Sequence, residues 1–192
     1  MTGPSWKGFS MDSMPSSTVP TPVFLPAEDY DRVKIIVAGP FGIGKTTAIE
    51  AVSEIQSLHT EEVMTQAAAE VDDLVVEGKD TTTVAIDFGR ITLAQGRIVL
   101  YLFGTPGQRR FRPLWEDYVL GALGVLVLVD TRRLDASFEV IDLVEESGLE
   151  YAIAVNEFPE SPVHDLDTVR AKLDLEEHTP LVTVDARDRR ST

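Results

Sequence analysis

The segment that most constrains the fold of this chain is a glycine-rich stretch, GPFGIGKT, at residues 39–46. The apolar run VKIIVA directly before it predicts a buried strand, and TAIEAVSEIQ directly after it favours a helix. Three glycines at this junction let the backbone adopt positive φ angles and lie close to a ligand. The stretch therefore predicts a strand, a loop and a helix, with the main chain of the loop holding a ligand.

The same stretch fits the pattern G-x-x-x-x-G-K-S/T at every required position, and this pattern is typical of phosphate-binding loops. Its N–H groups form an anion-binding concavity, and the following helix adds the positive end of its dipole. The Lys45 ammonium can reach β- and γ-phosphates, and the Thr46 hydroxyl can bind Mg²⁺. The nucleotide-binding residues predicted in this loop are Gly39, Phe41, Gly42, Ile43, Gly44, Lys45, Thr46 and Thr47. A purely structural glycine turn is the alternative, but it does not account for Lys45 followed by Thr46.

Apolar runs alternate with helical stretches from Arg32 onward, which predicts an α/β fold with a mostly parallel sheet covered by helices on both faces. Six segments have the pattern of strands: VKIIVA, TVAIDFGRITL, RIVLYLF, GVLVLVD, YAIAV and LVTV. Four segments have the pattern of helices: 45–57, 108–120, 136–147 and 165–173. A short turn at Gln95-Gly96 joins the second and third strands, so we expect a hairpin and one antiparallel edge strand. The predicted architecture is a P-loop domain with a six-stranded sheet.

Some parts of the chain do not fit this alternation. Residues 1–31 are rich in proline and serine, which predicts a flexible tail ahead of a domain that spans residues 32–192. Within that tail, Val23-Phe24-Leu25 could instead pack on the domain. Residues 58–82 form a long irregular connection beside the phosphate loop, where we expect a mobile functional segment and partial helix in TEEVMTQAAAEVDDLV. Only eight residues follow LVTV, so the sheet is expected to lack a final covering helix.

Charge and composition narrow the classes of function. A formal net charge of −15 over 192 residues argues against nucleic acid or an anionic membrane surface as the main partner, because phosphate contacts need a basic surface. The small basic cluster of Arg109, Arg110 and Arg112 lies next to the nucleotide motifs, and nucleotide or partner contact explains it better. The chain has no cysteine, no apolar stretch that could cross a bilayer, and no signal or lipidation pattern. We therefore expect a cytoplasmic protein with no direct membrane anchor, which partners could recruit to a membrane.

Three further segments resemble motifs of one protein family. TVAIDF at 83–88 resembles the end of the first switch of Rab-like GTPases, and GTPGQRRFRPLWEDYV at 104–119 resembles the second switch of Arf-like GTPases. VLVDTRRLDASFEVI at 127–141 is similar to the fourth strand and following helix of the Ras superfamily. With the phosphate loop, these motifs follow the order of the family over roughly residues 32–187. The chain thus resembles a Ras-like small GTPase with a G-domain fold, and most closely the MglA-like branch that includes the GTP-binding proteins of actinobacterial conservons.

This resemblance implies a bacterial signalling switch that binds GTP or GDP with Mg²⁺ and hydrolyses GTP slowly. The residues with catalytic roles would be Lys45, Thr83 and Gln108. Thr83 would join Thr46 as a metal ligand and also meet the γ-phosphate, while Gln108 would orient the attacking water. Gly107 would donate its N–H to the γ-phosphate. The alternatives are that Thr83 is an ordinary strand residue and that Gln108 is a solvated loop residue.

The chain departs from the family where the second switch begins. That switch normally starts with an aspartate that holds Mg²⁺ through water, and here the position is Gly104. Asp87, on the neighbouring predicted strand, is a candidate to replace it, and the alternative is a solvent-facing carboxylate or one that orders a loop. Asp130, at the end of an apolar strand, fits a helix or turn cap better than a metal site.

The guanine-reading motif, normally Asn-Lys-x-Asp, reads NEFP here, with Asn156 kept but a glutamate and a proline in place of the lysine and the aspartate. That aspartate normally accepts hydrogen bonds from guanine, so its loss predicts relaxed base specificity or another acceptor such as Glu157 or Glu160. The segment VDARD stands where the family has Ser-Ala-Lys. Its Ala186 N–H would meet guanine O6 and its Arg187 stem would cover the base, unless the segment is only a strand-ending turn.

The resemblance also implies protein partners. These are a roadblock/LC7-type regulator and a sensor-kinase-like component, in addition to the guanine nucleotide itself. The departures leave a second function open, namely a pseudo-GTPase that holds a nucleotide as an interaction platform without significant hydrolysis. A small-molecule kinase is less favoured, because the chain shows no lid or acceptor-site pattern.

Overall fold

The fold comes from a computed structural model, which describes residues 30–56, 58–64, 82–93, 97–106, 114–159, 161–162 and 164–192. Its strands are β1 (Asp31–Ala38), β2 (Leu58–Met64), β3 (Thr82–Leu93), β4 (Ile98–Gly104), β5 (Gly124–Val129), β6 (Glu150–Asn156) and β7 (Leu181–Val184). Its helices are α1 (Lys45–Val52), α2 (Trp115–Val119), α3 (Phe138–Glu146) and α4 (Leu166–Lys172), with a short 3-10 helix at Leu134–Ser137 before α3. Each of the six predicted strands and four predicted helices corresponds to one of these elements.

The described strands form one sheet in the order β2-β3-β4-β1-β5-β6-β7. The five strands from β4 to β7 in that order run parallel to one another. β3 runs antiparallel to β4, with Leu93 opposite Ile98 where the hairpin turns. The predicted α/β class, the mostly parallel sheet and the hairpin are therefore confirmed.

β2 is the strand that sequence analysis missed. It pairs antiparallel with β3, from Leu58 opposite Phe88 to Met64 opposite Thr82, and it takes the edge of the sheet. The prediction of partial helix is wrong for residues 60–64, which belong to this strand. Pairing along the whole of β2 satisfies the backbone groups that face β3, and this overrides the local helix preference of glutamate.

One face of the sheet is covered by α2, α3 and α4. There Ile36 of β1 and Val127 of β5 pack in one core with Ile141 of α3 and Val169 of α4. All four side chains are at most 3% exposed. Burial of each is worth about 1.5–3 kcal/mol, so this face supplies much of the stability of the fold.

The opposite face is covered by α1 alone among the described helices. Ile49 of α1 packs there against Val37 of β1. Beside α1 the strands line an apolar cavity of about 540 Å³, whose wall includes Ile35 and Leu100. Residues 185–192, which follow β7, form turns and no helix, as predicted.

The carboxyl ends of the parallel strands meet at one edge of the sheet. The loops after β1, β5, β6 and β7 follow these ends, and ligands bind at this edge in open parallel α/β sheets. The predicted phosphate-binding loop is the one after β1. Residues 1–29 and 65–81 lie outside the described residues, so the tail, the packing of Val23-Phe24-Leu25 and the mobile segment stay predictions.

Candidate functional site

The loop between β1 and α1 has a backbone that requires glycine. Gly39, Gly42 and Gly44 have φ angles of 141°, 75° and 101°, which residues with a side chain rarely adopt. A Cβ on Gly39 would lie 2.6 Å from the carbonyl oxygen of Leu128, and one on Gly44 would lie 2.8 Å from Asn156 Nδ2. Contacts from β5 and β6 therefore hold this loop in one conformation.

The other loop residues differ in burial. Ile43 is 1% exposed and packs in the core between α1 and the sheet, so it anchors the loop to the sheet. Phe41 is 69% exposed, and Thr46 and Thr47 are also exposed. The loop is thus fixed from inside while its outer surface is open to a ligand.

Lys45 lies inside the loop rather than in solvent. It is 8% exposed, and its Nζ donates to the carbonyl oxygens of Gly39 at 2.8 Å and Pro40 at 2.9 Å. Burial lowers the pKa of Lys45 to about 8, although the negative charge of Asp87 opposes that shift. A buried ammonium that donates to neutral carbonyls is poorly compensated, and a phosphate group would compensate it.

α1 begins directly after this loop, and its N-cap residue, Gly44, has no side chain to cap it. The N–H groups of Lys45, Thr46 and Thr47 lie in the first turn, where helix geometry leaves them without a partner inside the helix. These donors and the helix dipole favour an anion at this end. Together with the Lys45 ammonium, they fit the phosphates of a nucleotide.

Thr46 links the loop to the neighbouring hairpin. Its Oγ1 donates a hydrogen bond to Asp87 Oδ2 at 2.5 Å. Asp87 lies on β3, directly opposite Gly104, the last residue of β4. No group of three His, Cys, Asp or Glu side chains within the described residues is placed to hold a metal ion. One hydroxyl with one nearby carboxylate suits Mg²⁺, which keeps several waters and takes phosphate oxygens as further ligands.

Asn156 joins the phosphate loop to the loop after β7. It is 3% exposed, its Nδ2 donates to the carbonyl oxygen of Ile43 at 2.8 Å, and its Oδ1 accepts from the Ala186 N–H at 3.0 Å. Sequence analysis placed Asn156 and Ala186 at the nucleotide but did not anticipate that they bond to each other. Because the Ala186 N–H already has a partner, a guanine O6 would have to share it with Asn156.

The NEFP loop contacts the loop after β5. Arg132 donates from Nε to Asp130 Oδ1 at 3.0 Å and from Nη2 to Asp130 Oδ2 at 2.6 Å, and its guanidinium carbon lies 4.0 Å from the centre of the Phe158 ring. Sequence analysis gave no role to Arg132 or Phe158, because nothing in the local sequence indicates that they meet. Glu157 is exposed, and its N–H donates to the carbonyl oxygen of Val184 at 2.8 Å.

Asp130 caps the turn after β5, as predicted. Its Oδ1 accepts a hydrogen bond from the Arg132 N–H at 2.9 Å. Burial would raise the pKa of Asp130, but the hydrogen bonds and the charge of Arg132 outweigh burial and lower that pKa. Asp130 is therefore an ionised structural residue of this edge rather than a proton donor.

The Asp185 and Arg187 side chains pair with each other. Arg187 donates from Nε to Asp185 Oδ1 at 2.8 Å and from Nη2 to Asp185 Oδ2 at 2.7 Å. Hydrogen bonds from the side chain and backbone of Arg187 lower the pKa of Asp185 to about 2. The predicted position of Arg187 over a base would require this exposed pair to reorient.

The backbone of Thr83, the other predicted metal ligand, belongs to the strand that also carries Asp87. It lies on β3 opposite Val63 of β2, four residues along the strand from Asp87, which is about 13 Å in extended backbone. Its predicted contact with metal and γ-phosphate stays a prediction. Six residues that were predicted to act at or near the nucleotide lie outside the described residues: Gly107, Gln108, Arg109, Arg110, Arg112 and Glu160.

Sequence comparisons find relatives over most of this site. The profile of a family described as "Conserved hypothetical ATP binding protein" matches residues 37–159. An uncharacterized protein of Methanocaldococcus jannaschii is 33% identical over 141 residues, which cover 72% of this chain and 76% of that protein. The Ras-related protein RABC2a of Arabidopsis thaliana is 30% identical over 117 residues, covering 59% of this chain and 46% of RABC2a. The GTP-binding protein ypt4 of Schizosaccharomyces pombe is 33% identical over 119 residues, covering 58% of this chain and 42% of ypt4.

The chain thus matches less than half the length of these two small-GTPase relatives. The predicted similarity to small GTPases is therefore confirmed for the group as a whole, while the MglA-like branch stays a prediction.

Solved structures share the fold. The cytosolic domain of the FeoB iron transporter of T. maritima in a GDP form has a TM-score of 0.58 at 17% identity, covering 83% of this chain and 58% of that one. The FeoB G-domain of Methanococcus jannaschii has a TM-score of 0.52 at 17% identity, covering 81% of this chain and 87% of that one. The predicted α/β G-domain fold is therefore confirmed. Within the described part of the chain, the helices are all too short or too polar to span a bilayer.

Proposed function

The chain belongs to the family described as conserved hypothetical ATP binding proteins, and within that family we propose that it is a GTP-binding switch that hydrolyses GTP slowly. The observation that carries the proposal is the buried Lys45 ammonium at the uncapped start of α1. An anion with several oxygens satisfies the ammonium and the free N–H groups at the same time. A nucleoside triphosphate with Mg²⁺ on Thr46 matches this arrangement.

Guanine is the proposed base because relatives of this chain are a Ras-related protein and a GTP-binding protein. The usual aspartate acceptor is absent from NEFP, and Glu157 is the exposed carboxylate of that loop. One hydrogen bond to a charged acceptor is worth about 1.5–3 kcal/mol, so we expect GTP to bind about 10–100-fold more tightly than ATP. Equal affinities for the two nucleotides would contradict the guanine assignment and agree with the description of the family.

In the proposed cycle, the γ-phosphate orders two segments of the chain. Thr83 and the Gly107 N–H would contact that phosphate, Gln108 would orient the attacking water, and Lys45 would offset the charge that develops. Hydrolysis would remove these contacts and release both segments. Turnover by the isolated chain is expected to be slow, since the arginine of a partner supplies much of the acceleration in such enzymes.

A second candidate function is a nucleotide-bound interaction platform without significant hydrolysis. The observations that favour it are Gly104 in place of the usual aspartate and the altered NEFP loop. Release of inorganic phosphate from purified protein with Mg²⁺ and GTP separates the two functions. A measurable rate that falls at least tenfold in Gln108→Leu supports the switch, and no release above the buffer rate supports the platform.

The proposed cellular context follows from the MglA-like and conservon resemblance. In it, the chain works in the bacterial cytoplasm with a roadblock/LC7-type regulator and a sensor-kinase-like component that recruits it to the membrane. The net charge of −15 supports recruitment by proteins rather than by anionic lipid.

The central test is the nucleotide itself. Mass analysis of the ligand that co-purifies identifies base and phosphate number, and titration with fluorescent mant-GDP gives the affinity. Lys45→Ala should weaken mant-GDP binding at least 100-fold, while Lys172→Ala, which removes an exposed lysine of α4, should change it less than twofold. Equal binding by Lys45→Ala and the unmodified chain, or no nucleotide bound by the unmodified chain, would contradict the proposal.

A further inference from the structure

Asp87 and Gly104 are neighbours on the face of the sheet that α1 covers. They are opposite each other across the β3–β4 ladder, and residues in that relation project to the same face. A Cβ on Gly104 would lie 3.0 Å from Asp87 Cβ and 3.1 Å from Asp87 Oδ2. A side chain at position 104 would therefore press against the Asp87 carboxylate, and one of the two groups would have to shift.

The carboxylate of Asp87 also lies at the phosphate loop. Its Oδ2 accepts a hydrogen bond from Thr46 Oγ1, and its charge is close enough to oppose the lowering of the Lys45 pKa by burial. A hydroxyl has one proton and two lone pairs, so Thr46 can donate to Asp87 and still offer a lone pair to a cation. A hydroxyl held in this way faces a metal in a fixed orientation.

We propose that Asp87 does the work of the aspartate that Gly104 replaces, orienting Thr46 and the water ligands of Mg²⁺ from β3 instead of β4. On this proposal, glycine at position 104 makes room for the Asp87 carboxylate, and its presence does not mean that the metal site has been lost. The inference rests on the proposed nucleotide-binding function, because the phosphates supply the remaining Mg²⁺ ligands. Asp87 acts through Thr46 and is a positioning residue.

The test measures metal affinity separately from nucleotide affinity. Full-length protein is loaded with mant-GDP, and the rate of mant-GDP dissociation is measured in EDTA and at increasing Mg²⁺ concentration. Asp87→Asn keeps the shape of the side chain but removes its charge. It should raise the Mg²⁺ concentration for half-maximal slowing by about 10–100-fold, with each variant compared with its own rate in EDTA. The control is Asp142→Asn, which removes an exposed carboxylate of α3 and should change neither the Mg²⁺ response nor the rate in EDTA.

A second test exchanges the residues at positions 87 and 104, and this double substitution is called the exchanged variant. Gly104→Asp alone presses a second carboxylate against that of Asp87, so it should weaken Mg²⁺ slowing and lower the melting temperature. Gly104→Asp combined with Asp87→Gly should recover Mg²⁺ slowing to within tenfold of the unmodified chain. Circular dichroism melting of each variant separates loss of the metal site from loss of the fold.

The outcomes separate the two proposals. An Asp87→Asn protein that binds mant-GDP and responds to Mg²⁺ like the unmodified chain overturns the role of Asp87 and leaves the nucleotide function intact. Recovery in the exchanged variant supports transfer of the carboxylate between strands. An unmodified chain that binds no nucleotide overturns both proposals.

Discussion

The two halves of the candidate site are built in different ways. At the phosphate half, the loop after β1 surrounds the buried Lys45, and its glycines take conformations that other residues rarely adopt. At the base half, the exposed Arg187 is paired with Asp185, and Phe158 packs under Arg132 instead of presenting a polar group. The phosphate half thus presents an ammonium and first-turn N–H groups without intrahelical partners, whereas the base half is held by contacts among its own residues.

We propose that this difference separates affinity from selectivity. Backbone N–H groups and one ammonium recognise phosphate without reading the base, so the phosphate half supplies most of the affinity and a base contact adds the expected 10–100-fold preference for GTP. Asn156 connects the halves, since it bonds both to Ile43 in the phosphate loop and to Ala186. We therefore expect changes at the phosphate half to abolish binding, changes at the connection to affect both halves, and changes at the base half to have small effects.

The largest effect is expected for Gly44→Ala. Its new Cβ would lie 2.8 Å from Asn156 Nδ2, in a backbone with φ of 101°. We expect at least a 100-fold loss of mant-GDP affinity, and a fall of about 2–3 kcal/mol in unfolding free energy measured in urea. The control is Gly148→Ala, which has φ of 68° but no atom within 4 Å of its Cβ, so only the backbone cost remains. Equal losses of stability in the two variants would show that the contact with Asn156 is unimportant.

Asn156→Ala should have the next largest effect, because it removes both bonds of the connection. It leaves the Ile43 carbonyl and the Ala186 N–H buried without these partners, which costs about 2–3 kcal/mol of unfolding free energy. Affinity for mant-GDP and for mant-ADP should fall by similar factors, about 10-fold, since the change loosens the phosphate loop. Thr183→Ala, at an exposed position of β7, is the control. A loss confined to mant-GDP would instead place Asn156 at the guanine base.

The pH dependence of binding tests the state of Lys45. Burial lowers the pKa of Lys45 to about 8 in the protein without nucleotide, and a bound phosphate would raise that pKa again. Below pH 8 the ammonium is present in both states, so affinity stays level. Above pH 8, binding must take up a proton, and Kd rises by up to tenfold per pH unit until the pKa of the complex is reached.

Titrations with mant-GDP between pH 7 and pH 9.5 measure this slope. Lys45→Arg should give a flat profile, because guanidinium stays charged over the whole range. A flat profile in the unmodified chain would mean that Lys45 keeps an ordinary pKa in the free protein.

The smallest effect is expected for Arg187→Ala. The Asp185–Arg187 pair is exposed, and such pairs contribute little. We expect less than a threefold change in mant-GDP affinity and no measurable change in melting temperature. A loss above tenfold that is specific to GTP over ATP would show that the Arg187 stem leaves Asp185 and covers the base, as the resemblance to small GTPases implies.

The order of strands and helices was largely predictable, because each parallel strand is a continuous apolar run bounded by polar residues. Strand β2 was not predictable, because the segment LHTEEVM has no apolar pattern. The strand conformation of this segment depends on pairing with β3. The conformation of the glycine-rich loop after β1 was predictable for a similar reason. It depends on three glycines and one lysine within eight consecutive residues, whereas its binding of phosphate stays a prediction.

By itself, then, the sequence determined a glycine-rich loop at the start of a helix and the alternation that builds a parallel sheet around it. The tertiary structure alone decided which distant groups complete that loop. Thr46 meets Asp87 from 41 positions away, and Asn156 meets Ile43 from 113 positions away. The physical reason is that hydrogen bonds across strands depend on register and on the space that a neighbour leaves, as Gly104 leaves it for Asp87.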